Sequence, residues 1–431
     1  MSLVLPREIQ YTPKAALPAG TRNTQYVVVP SNGSSFSSGS IIYLDLPSVG
    51  YLVPESLSIR YNIGITNGAT GTYLKGTPAY TPISRLDTLI GGQVVESIQQ
   101  YNQVANMLVN TRMSYAQKLG AQYNLGYLDT TTAPTLENLN GATIVANAVA
   151  TTTGRIQVSA PLGCILANAE NLVPLGMMPA VRIQLTVDSI ANMVFGGAGT
   201  VTNIALSNIE LVYDCITFGD DVDAIVRAQA DANGILTLKS QSFVNSAQTL
   251  AAGTTGQIEL VYNQRLSSIK YIVANMGRGT AASNTFLDSV DITQNAGDYQ
   301  FIIAGTAYPQ RPLSTLLNKA GIFTELMQIF SPAHDMFSSP SAIYSKSFSA
   351  ISSNGAGTST VPGQFWVGSN LERLSTNGAL LSGISSQLSP ISFRCNTGNA
   401  GTAEIHTINL IVAYDALLQI DVNNRQCFVK Q

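Results

Sequence analysis

The sequence contains two histidines, His334 and His406, and they are the first residues to consider for catalytic chemistry. A nucleophile needs a base that converges on it in space, which motifs such as Gly-x-Ser-x-Gly provide in hydrolases. His334 lies in a proline-flanked loop, His406 begins a predicted strand, and neither stands beside such a motif or a Cys-His signature. We therefore predict structural roles for both histidines and no catalytic residue in the chain.

Three neighbouring acids, Asp220, Asp221 and Asp223, form the best candidate for a metal site. Calcium prefers several carboxylate oxygens, but this spacing is not that of an EF-hand loop. Acids are also expected at the start of a helix, whose amino-terminal end carries partial positive charge. The glycine-rich run at 196–200 lacks the Lys-Ser or Lys-Thr of a phosphate-binding loop and predicts a hairpin turn. We predict no metal site and no cofactor.

Carbohydrate chemistry is the main alternative. Trp366 is the only tryptophan and has one aromatic neighbour, Phe365, so most of a sugar-stacking surface is missing and a packed anchor is the better interpretation. Hydrolysis would need two convergent carboxylates. Asp214 and Asp415 are the best pair, but they occupy equivalent places in two repeats and should lie far apart. A carbohydrate-binding or carbohydrate-hydrolysing β-sandwich protein, or a phage tail or fibre module, stays open as an alternative function.

The composition indicates which elements must position these residues. Only 11% of the 431 residues are charged, the net charge is −3, and 45% are hydrophobic. An average soluble protein has about 25% charged residues, and helix surfaces need many of them. The 36 glycines and 18 prolines favour short strands joined by loops, so the fold class is predicted as all-β. The sequence contains no block of Lys or Arg of the kind that neutralises a nucleic-acid backbone.

Cysteine usage and hydropathy limit where the protein is made. The four cysteines are widely separated, without a C-x-x-C pair, which predicts free thiols in a protein made inside a cell. They are Cys164, Cys215, Cys395 and Cys427. The first residues lack the pattern of a signal peptide, so we expect no secretion. The most apolar stretch, 408–420, is interrupted by polar residues and predicts no membrane span.

The two halves of the chain repeat one pattern, at offsets between 201 and 217 residues. Each half has a short strand, a bend and a second strand, and ends in a long β-branched and aromatic run. The matching segments are 39–44 with 256–261, 57–63 with 266–272, and 208–216 with 409–417. A period this long excludes a solenoid and predicts a duplicated β-domain. Ile59 should therefore be equivalent to Ile269, and Tyr213 to Tyr414.

A few helices are predicted within this β-rich pattern. An apolar stripe with helical spacing runs from Val94 to Leu108, after a turn at Gly91-Gly92. In the second half a turn at Gly305 precedes a helix that Pro312 opens and that continues toward Phe330. Between the halves, acids at the start and an Asn-Gly pair at the end mark a short linker helix that begins at Asp220.

Three local motifs carry a resemblance to a known family. They are the run 85–92 with the helical stripe after it, the turn Tyr308-Pro309-Gln310-Arg311-Pro312, and the closing strand 414–421. In this order, on two β-rich halves joined by a short linker, they resemble the double jelly-roll major capsid proteins of the adenovirus and tectivirus lineage. The likeness extends from about Tyr26 to the end of the chain and is nearest to polinton-like viruses and virophages.

The resemblance implies two tandem eight-stranded jelly rolls with a few short helices in the loops and linker. The expected divisions are an N-terminal arm (1–24), a first jelly roll (25–218), a linker helix (219–234) and a second jelly roll (235–431). The arm carries Arg7, Lys14 and Arg22. It is expected to run along the inner face of a shell and hold a neighbour or an inner layer.

The resemblance also implies a function. It predicts a major capsid protein of a DNA virus, a homotrimer whose pseudo-hexameric capsomers tile an icosahedral shell around the genome. The expected partners are further copies of the chain and penton and minor capsid proteins, without sequence-specific nucleic-acid binding; an internal membrane is left open. The expected location is the virion, and no enzymatic activity is implied. Interface cores are depleted in Lys, Glu and Asp, which would account for the low charge.

Overall fold

Two pairs of antiparallel sheets make up the protein, one pair from each half of the chain. The computed structural model describes residues 18, 20–66, 73–126, 156–195, 203–231, 233–278, 289–293, 297–330, 343, 348, 363–372, 381, 383–397 and 405–430. Strands predominate in these ranges and the helices are short. The predicted all-β fold class is confirmed.

The strands of the first half form a larger sheet, a smaller sheet and a short ribbon. They are β1 (Arg22–Val28), β2 (Ser35–Ser37), β3 (Ile41–Leu46), β4 (Tyr51–Leu52), β5 (Ser58–Thr66), β6 (Tyr73–Leu74), β7 (Ile83–Ile90), β8 (Gln93–Gln99), β9 (Ile156–Pro161), β10 (Val181–Val187), β11 (Val194–Phe195) and β12 (Asn203–Thr217). The larger sheet has the order β1-β12-β5-β9, with β2 and β4 also paired to β12. The smaller sheet has the order β3-β10-β7-β8, and β6 pairs with β11.

The second half repeats this arrangement. Its strands are β13 (Ile235–Leu250), β14 (Gln257–Tyr262), β15 (Ile269–Arg278), β16 (Asp298–Ile303), β17 (Thr306–Ser314), β18 (Trp366–Asn370), β19 (Ile391–Asn396), β20 (His406–Asp421) and β21 (Gln426–Lys430). One sheet has the order β13-β20-β15-β18, with β21 added to β20, and the other has the order β14-β19-β16-β17. Strand for strand, both orders match those of the first half. Each half is therefore an eight-stranded jelly roll, here called the first and the second barrel.

The residues predicted to be equivalent lie on equivalent strands. Tyr213 is on β12 and Tyr414 is on β20, the long inner strands of the two larger sheets. Ile59 of β5 pairs with Leu211 of β12, whereas Ile269 of β15 pairs with Tyr414 of β20, beside a register shift in β15. The duplication is thus confirmed, with a local difference in register.

Alternation of side chains places the core between the two sheets of each barrel. In β10, the sequence VRIQLTV alternates strictly between buried and half-buried positions. A strand with period two buries one face and leaves the other toward solvent or a neighbour. In β20 the nine consecutive positions 408–416 are all buried, because this part of the strand is covered on both faces. The outer face of the second barrel's larger sheet packs against the first barrel, since β13 contacts β8 and Asn275 of β15 is hydrogen-bonded to Gln103.

Two tight hairpins confirm the turns predicted from glycine. Gly91 and Gly92 join β7 to β8 with φ of 61° and 80°, and Ala304 and Gly305 join β16 to β17 with φ of 50° and 79°. Two consecutive positive φ values are required by the type I′ turn, which matches the twist of antiparallel strands. The turns are equivalent in the two barrels.

The helices are short and lie in the connections. They are α1 (Tyr101–Arg112), α2 (Tyr115–Gly120), α3 (Gln122–Leu125), α4 (Ile190–Met193), α5 (Asp220–Ala228) and α6 (Lys319–Gln328). The helix predicted to begin at Asp220 is present as α5, and Gly219 is its N-cap residue. Helices of the described ranges are too short or too polar to cross a lipid bilayer.

The helix predicted from Val94 begins seven residues too early. Val94 and Ile98 lie on β8, which pairs with β7 through the Gly91-Gly92 turn, and α1 starts only at Tyr101. The tight turn feeds residues 93–99 directly into a ladder with β7, and β-branched residues fit that ladder well. Hydrogen bonding across the hairpin therefore overrides the helical spacing of the apolar residues.

The helix predicted to open at Pro312 is also wrong at its start. Residues 306–314 form β17, and α6 begins at Lys319 and continues through Gly321. Between Tyr308 and Leu313 the strand bulges, so that Gln300 of β16 faces this bulge and donates its Nε2–H to the carbonyls of Pro309 and Gln310. Proline fits a bulge because no ladder hydrogen bond is needed there.

Candidate functional site at the seam between the two barrels

The helix α1 lies between the barrels and is buried on nearly all sides. Ten of its 12 residues are buried, and several of those are polar. The buried polar residues are Asn102, Gln103, Asn106, Asn110 and Thr111. A helix with buried polar groups all round must find hydrogen-bond partners in the elements that cover it. We call this contact region, formed by α1, β8 and 162–170 of the first barrel against the second barrel, the seam.

Side chains of α1 bond directly to the second barrel. Asn275 of β15 donates its Nδ2–H to Gln103 Oε1 at 2.9 Å, and Gln364 donates its Nε2–H to Asn110 Oδ1 at 3.1 Å. Arg112, at the end of the helix, lies 5.5 Å from the ring centre of Phe330 and reaches the Tyr271 hydroxyl at 3.4 Å. The seam is therefore a set of directed polar contacts as well as an apolar packing surface.

A buried carboxyl group forms the centre of a second cluster. Glu96 of β8 is 2% exposed. Its Oε2 accepts hydrogen bonds from the Thr88 hydroxyl at 2.8 Å and the Ile165 backbone N–H at 2.9 Å. Its Oε1 accepts one from the hydroxyl of Ser242, which lies on β13 of the second barrel. Burial raises the pKa of Glu96, and these three hydrogen bonds oppose that rise.

The segment after β9 runs along β13 and adds backbone contacts. The Ser240 hydroxyl donates to the Ile165 carbonyl at 2.5 Å, and Asn168 Nδ2–H donates to the Gln241 carbonyl at 3.0 Å. The Glu170 backbone N–H donates to the Lys239 carbonyl, and their side chains form an ion pair of 3.1 Å. Backbone groups paired in this way fix one register between the barrels.

A buried lysine supports the seam from the side of the first barrel. Lys118 of α2 is fully buried, and its ammonium donates to Asn110 Oδ1, the same oxygen that receives Gln364. Desolvation lowers the pKa of Lys118 to about 7. The amine therefore loses its charge near neutral pH while still donating a hydrogen bond.

One of the two histidines considered for catalysis, His406, lies among the described residues. His406 is the first residue of β20 and is buried, as expected for a strand position, whereas His334 lies outside the described residues. Trp366 begins β18 and is 1% exposed, and Phe365 beside it is also buried. An indole face that is buried offers no stacking surface to a sugar. The predicted role of Trp366 as a packed anchor is confirmed.

The two candidate carboxylates lie on separate sheets. Asp214 is on β12 and Asp415 is on β20, the equivalent inner strands of the two barrels. Asp415 is buried, accepts a hydrogen bond from the Ser268 hydroxyl at 2.7 Å, and lies 4.0 Å from the Lys270 ammonium. Its oxygens are therefore engaged in holding β15 and the loop before it against β20.

The acid cluster marks the start of α5. Asp223 accepts a hydrogen bond from the Tyr51 hydroxyl at 2.6 Å, and Asp221 is exposed. No group of three metal-ligating side chains comes together among the described residues. The glycine-rich run at 196–200 lies outside them. All four cysteines are free, as predicted; they are also buried, and burial raises the pKa of each thiol.

Large apolar side chains remain exposed on the outer strands and loops. Val27 on the edge strand β1 is 50% exposed, Phe428 on β21 is 54% exposed, and Leu316 and Leu317 before α6 are 65% and 80% exposed. Exposed apolar groups at sheet edges are typical of surfaces that bind a partner.

The seam was not anticipated in the sequence. A signal that was available is the spacing of Asn102, Asn106 and Asn110, which places three amides on one face of the helix. Such a row indicates a helix packed between two bodies. Glu96 gave no signal, because a single acid in a strand usually faces solvent.

Fold and seam together define a class of protein, the double jelly-roll proteins, in which two barrels of one chain form a single unit. Comparison with known protein families and with curated proteins finds no match. Solved structures do match over nearly the whole chain.

The Faustovirus major capsid protein matches with a TM-score of 0.63 and 10% identity, over 96% of this chain and 92% of that one. The PBCV-1 virus capsid matches with a TM-score of 0.61 and 11% identity, over 95% of this chain and 97% of that one. The mavirus major capsid protein matches with a TM-score of 0.52 and 10% identity, over 100% of this chain and 95% of that one. The chain has the double jelly-roll fold of viral major capsid proteins.

Proposed function

We propose that this chain is a viral major capsid protein that assembles as a homotrimer, with three chains giving six barrels in a pseudo-hexameric capsomer. The observation that carries the proposal is the repetition of one eight-stranded topology in both halves, with a fold match to capsid proteins over at least 95% of the chain in the three structures compared. Two alike barrels per chain are what a three-chain block with near six-fold outline requires.

The seam supports this proposal because it turns two barrels into one building block. A hexagonal outline needs a fixed angle between the barrels, and buried hydrogen bonds such as those of Glu96 and Asn275 favour one geometry over its neighbours. Directed polar contacts weaken when a change in the angle between the barrels alters their distances and angles. The trimer then inherits its shape from the monomer.

The outer surface supports assembly into larger structures. Exposed apolar residues lie at strand edges and in a loop, at Val27, Phe428, Leu316 and Leu317. Contacts of this kind with further copies would bury them, and they need few charges. The proposed location is the virion, and penton and minor capsid proteins are proposed partners. We propose no enzymatic role and no sequence-specific nucleic-acid contact.

The proposed divisions of the chain are close to the observed elements, except that β1 begins at Arg22, inside the segment proposed as an arm. The first jelly roll would occupy 25–218 and the second 235–431, with the linker helix in 219–234 and an arm in 1–24.

Negative-stain microscopy of the purified full-length chain tests the proposal. Compact blocks with a pseudo-hexagonal outline and three-fold symmetry are expected. Elongated particles would favour a tail or fibre module instead. Glycan binding or hydrolysis that is lost in Asp415→Asn but retained in a distant surface variant would favour a carbohydrate-active protein and contradict the proposal.

A further inference from the structure

A largely apolar groove lies beside the linker helix α5. Its volume is about 720 Å³. The walls are formed by Tyr51 and Phe218 from the first barrel, Val222 and Val226 of α5, and Leu236 of β13. A volume of this size accommodates a small group of apolar side chains. The groove therefore has the size and lining of a binding site for a short peptide segment.

The helix presents two different faces at this place. Val222 and Val226 are four residues apart, lie on one face and line the groove, and both are half-buried. Ile225 is 59% exposed and does not line the groove. The same helix thus supplies a groove-facing position and a matched outward-facing position.

Strand β1 begins close to the groove. Arg22, the first residue of β1, pairs with Thr217, the last residue of β12, and Phe218 of the groove follows directly. Before β1 a turn forms, because the backbone N–H and hydroxyl of Thr21 both donate to the Pro18 carbonyl. Residues 1–17 therefore join the barrel within a few residues of the groove.

Residues 1–17 have a composition that matches the groove. They include the apolar run Leu3-Val4-Leu5, followed by the basic residues Arg7 and Lys14 against the one acid, Glu8. Asp231 lines the groove, and Asp223 accepts a hydrogen bond from the hydroxyl of Tyr51 in its wall. Asp221 is exposed on the same helix, and Arg227 is the basic residue in its last turn. An extended segment of this length spans up to about 55 Å, so the reach is ample.

We infer that the N-terminal segment of this chain binds in the groove of its own molecule, with Leu3-Val4-Leu5 against Val222, Val226 and Phe218. A tethered segment has a high effective concentration at a site close to its attachment point, which favours its own chain over a neighbour. Burial of the apolar run provides the attraction, and the basic residues face the acids of α5. The inference does not depend on the capsid role.

Disulfide trapping in the full-length chain tests the inference. The four native cysteines are buried, so the unmodified protein serves as the background. The test variant carries Leu5→Cys with Val226→Cys, and its matched control carries Leu5→Cys with Ile225→Cys on the outward face of the same helix. Under mild oxidation an intrachain disulfide is expected to form at least about tenfold faster in the test variant. Peptide mass analysis and non-reducing gels distinguish bonds within a chain from bonds between chains.

Equal rates in the two variants would overturn the inference, and so would a disulfide that forms only between chains, since the occupant would then be a second copy. A further measurement covers the case in which the cysteine variants fold poorly. Hydrogen exchange of residues 3–9 is expected to speed up in Val226→Asp and to stay unchanged in Ile225→Asp. Fast exchange in the unmodified protein would overturn the inference as well.

Discussion

Glu96 of the first barrel and Ser242 of the second barrel are joined by a hydrogen bond from the serine hydroxyl to the glutamate carboxyl, at a position shielded from solvent. The same carboxyl holds Thr88 on β7 and the backbone of Ile165. One side chain thus ties together two strands of the first barrel, the segment after β9, and β13 of the second. A group with this many partners makes the relative position of the barrels specific.

Truncation of Glu96 should loosen the seam. Glu96→Ala leaves the donors of Thr88, Ile165 and Ser242 unsatisfied in a buried site, and should lower the free energy of unfolding by about 3 kcal/mol. Glu96→Gln keeps an acceptor for Ile165 and places an amide N–H toward the Ser242 oxygen, so its cost should be about 1 kcal/mol or less. Denaturant titrations of both variants measure the difference. Equal decreases in the free energy of unfolding would mean that packing, and not hydrogen bonding, stabilises the seam at Glu96.

The same residue should give stability a pH dependence. Because burial raises the pKa of Glu96 above its ordinary value of 4.5, the unfolded chain releases a proton that the folded chain retains. Stability should therefore fall as the pH rises from about 4.5 through the folded pKa. The melting temperature of the unmodified protein minus that of Glu96→Gln should decline over this range. A constant difference would contradict the raised pKa.

Lys118 should make the folded state more stable as the pH rises above 7. Its pKa is lowered to about 7 by desolvation, so the unfolded chain binds a proton between about pH 7 and its ordinary value of 10.5 that the folded chain lacks. Stability should rise with pH through this window. Lys118→Met removes the titration, and the melting temperature of the unmodified protein relative to this variant should increase from pH 7 to pH 10. A melting-temperature difference that does not change with pH would show that the amine of Lys118 stays charged in the folded protein over this window.

A glycine in the second barrel should tolerate no side chain. A Cβ atom at Gly297 would lie 1.5 Å from the backbone oxygen of Asn396, in the strand β19 that pairs with β16. Gly297→Ala should therefore displace backbone and destabilise the barrel by several kcal/mol, on the order of a severe core defect. Gly120→Ala is the control, since a Cβ there meets nothing within 4 Å. Circular-dichroism melts should separate the two, and similar melting temperatures would contradict the close approach.

Much of the fold could be predicted from the sequence. The closing strands at Tyr213 and Tyr414 were visible because long β-branched and aromatic runs have few other interpretations. Three pairs of matching segments occur in the same order in both halves, and this shared order supports each match, which is weak alone. The turn at Gly91-Gly92 was also readable, because consecutive glycines mark positive φ.

Other features could not be predicted because they depend on tertiary contacts. The start of α1 was misplaced, since the pairing of Val94 with Leu89 across the hairpin is invisible to a count of helical spacing. The seam joins residues that are distant in the chain, such as Glu96 and Ser242, which are 146 positions apart, and local patterns carry no information on such pairs. The groove is likewise formed by residues of α5 and of both barrels, which come together only in the folded chain.

Sedimentation of the purified 431-residue chain, across dilution and in molar salt, measures whether it assembles as a trimer. The surface is poor in charge, so assembly should depend on buried area and fit, and salt screening should have little effect on the trimer. We expect a species with about three times the chain mass of 45.6 kDa that persists at micromolar concentration and in molar salt. A soluble, folded monomer at micromolar concentration would contradict it.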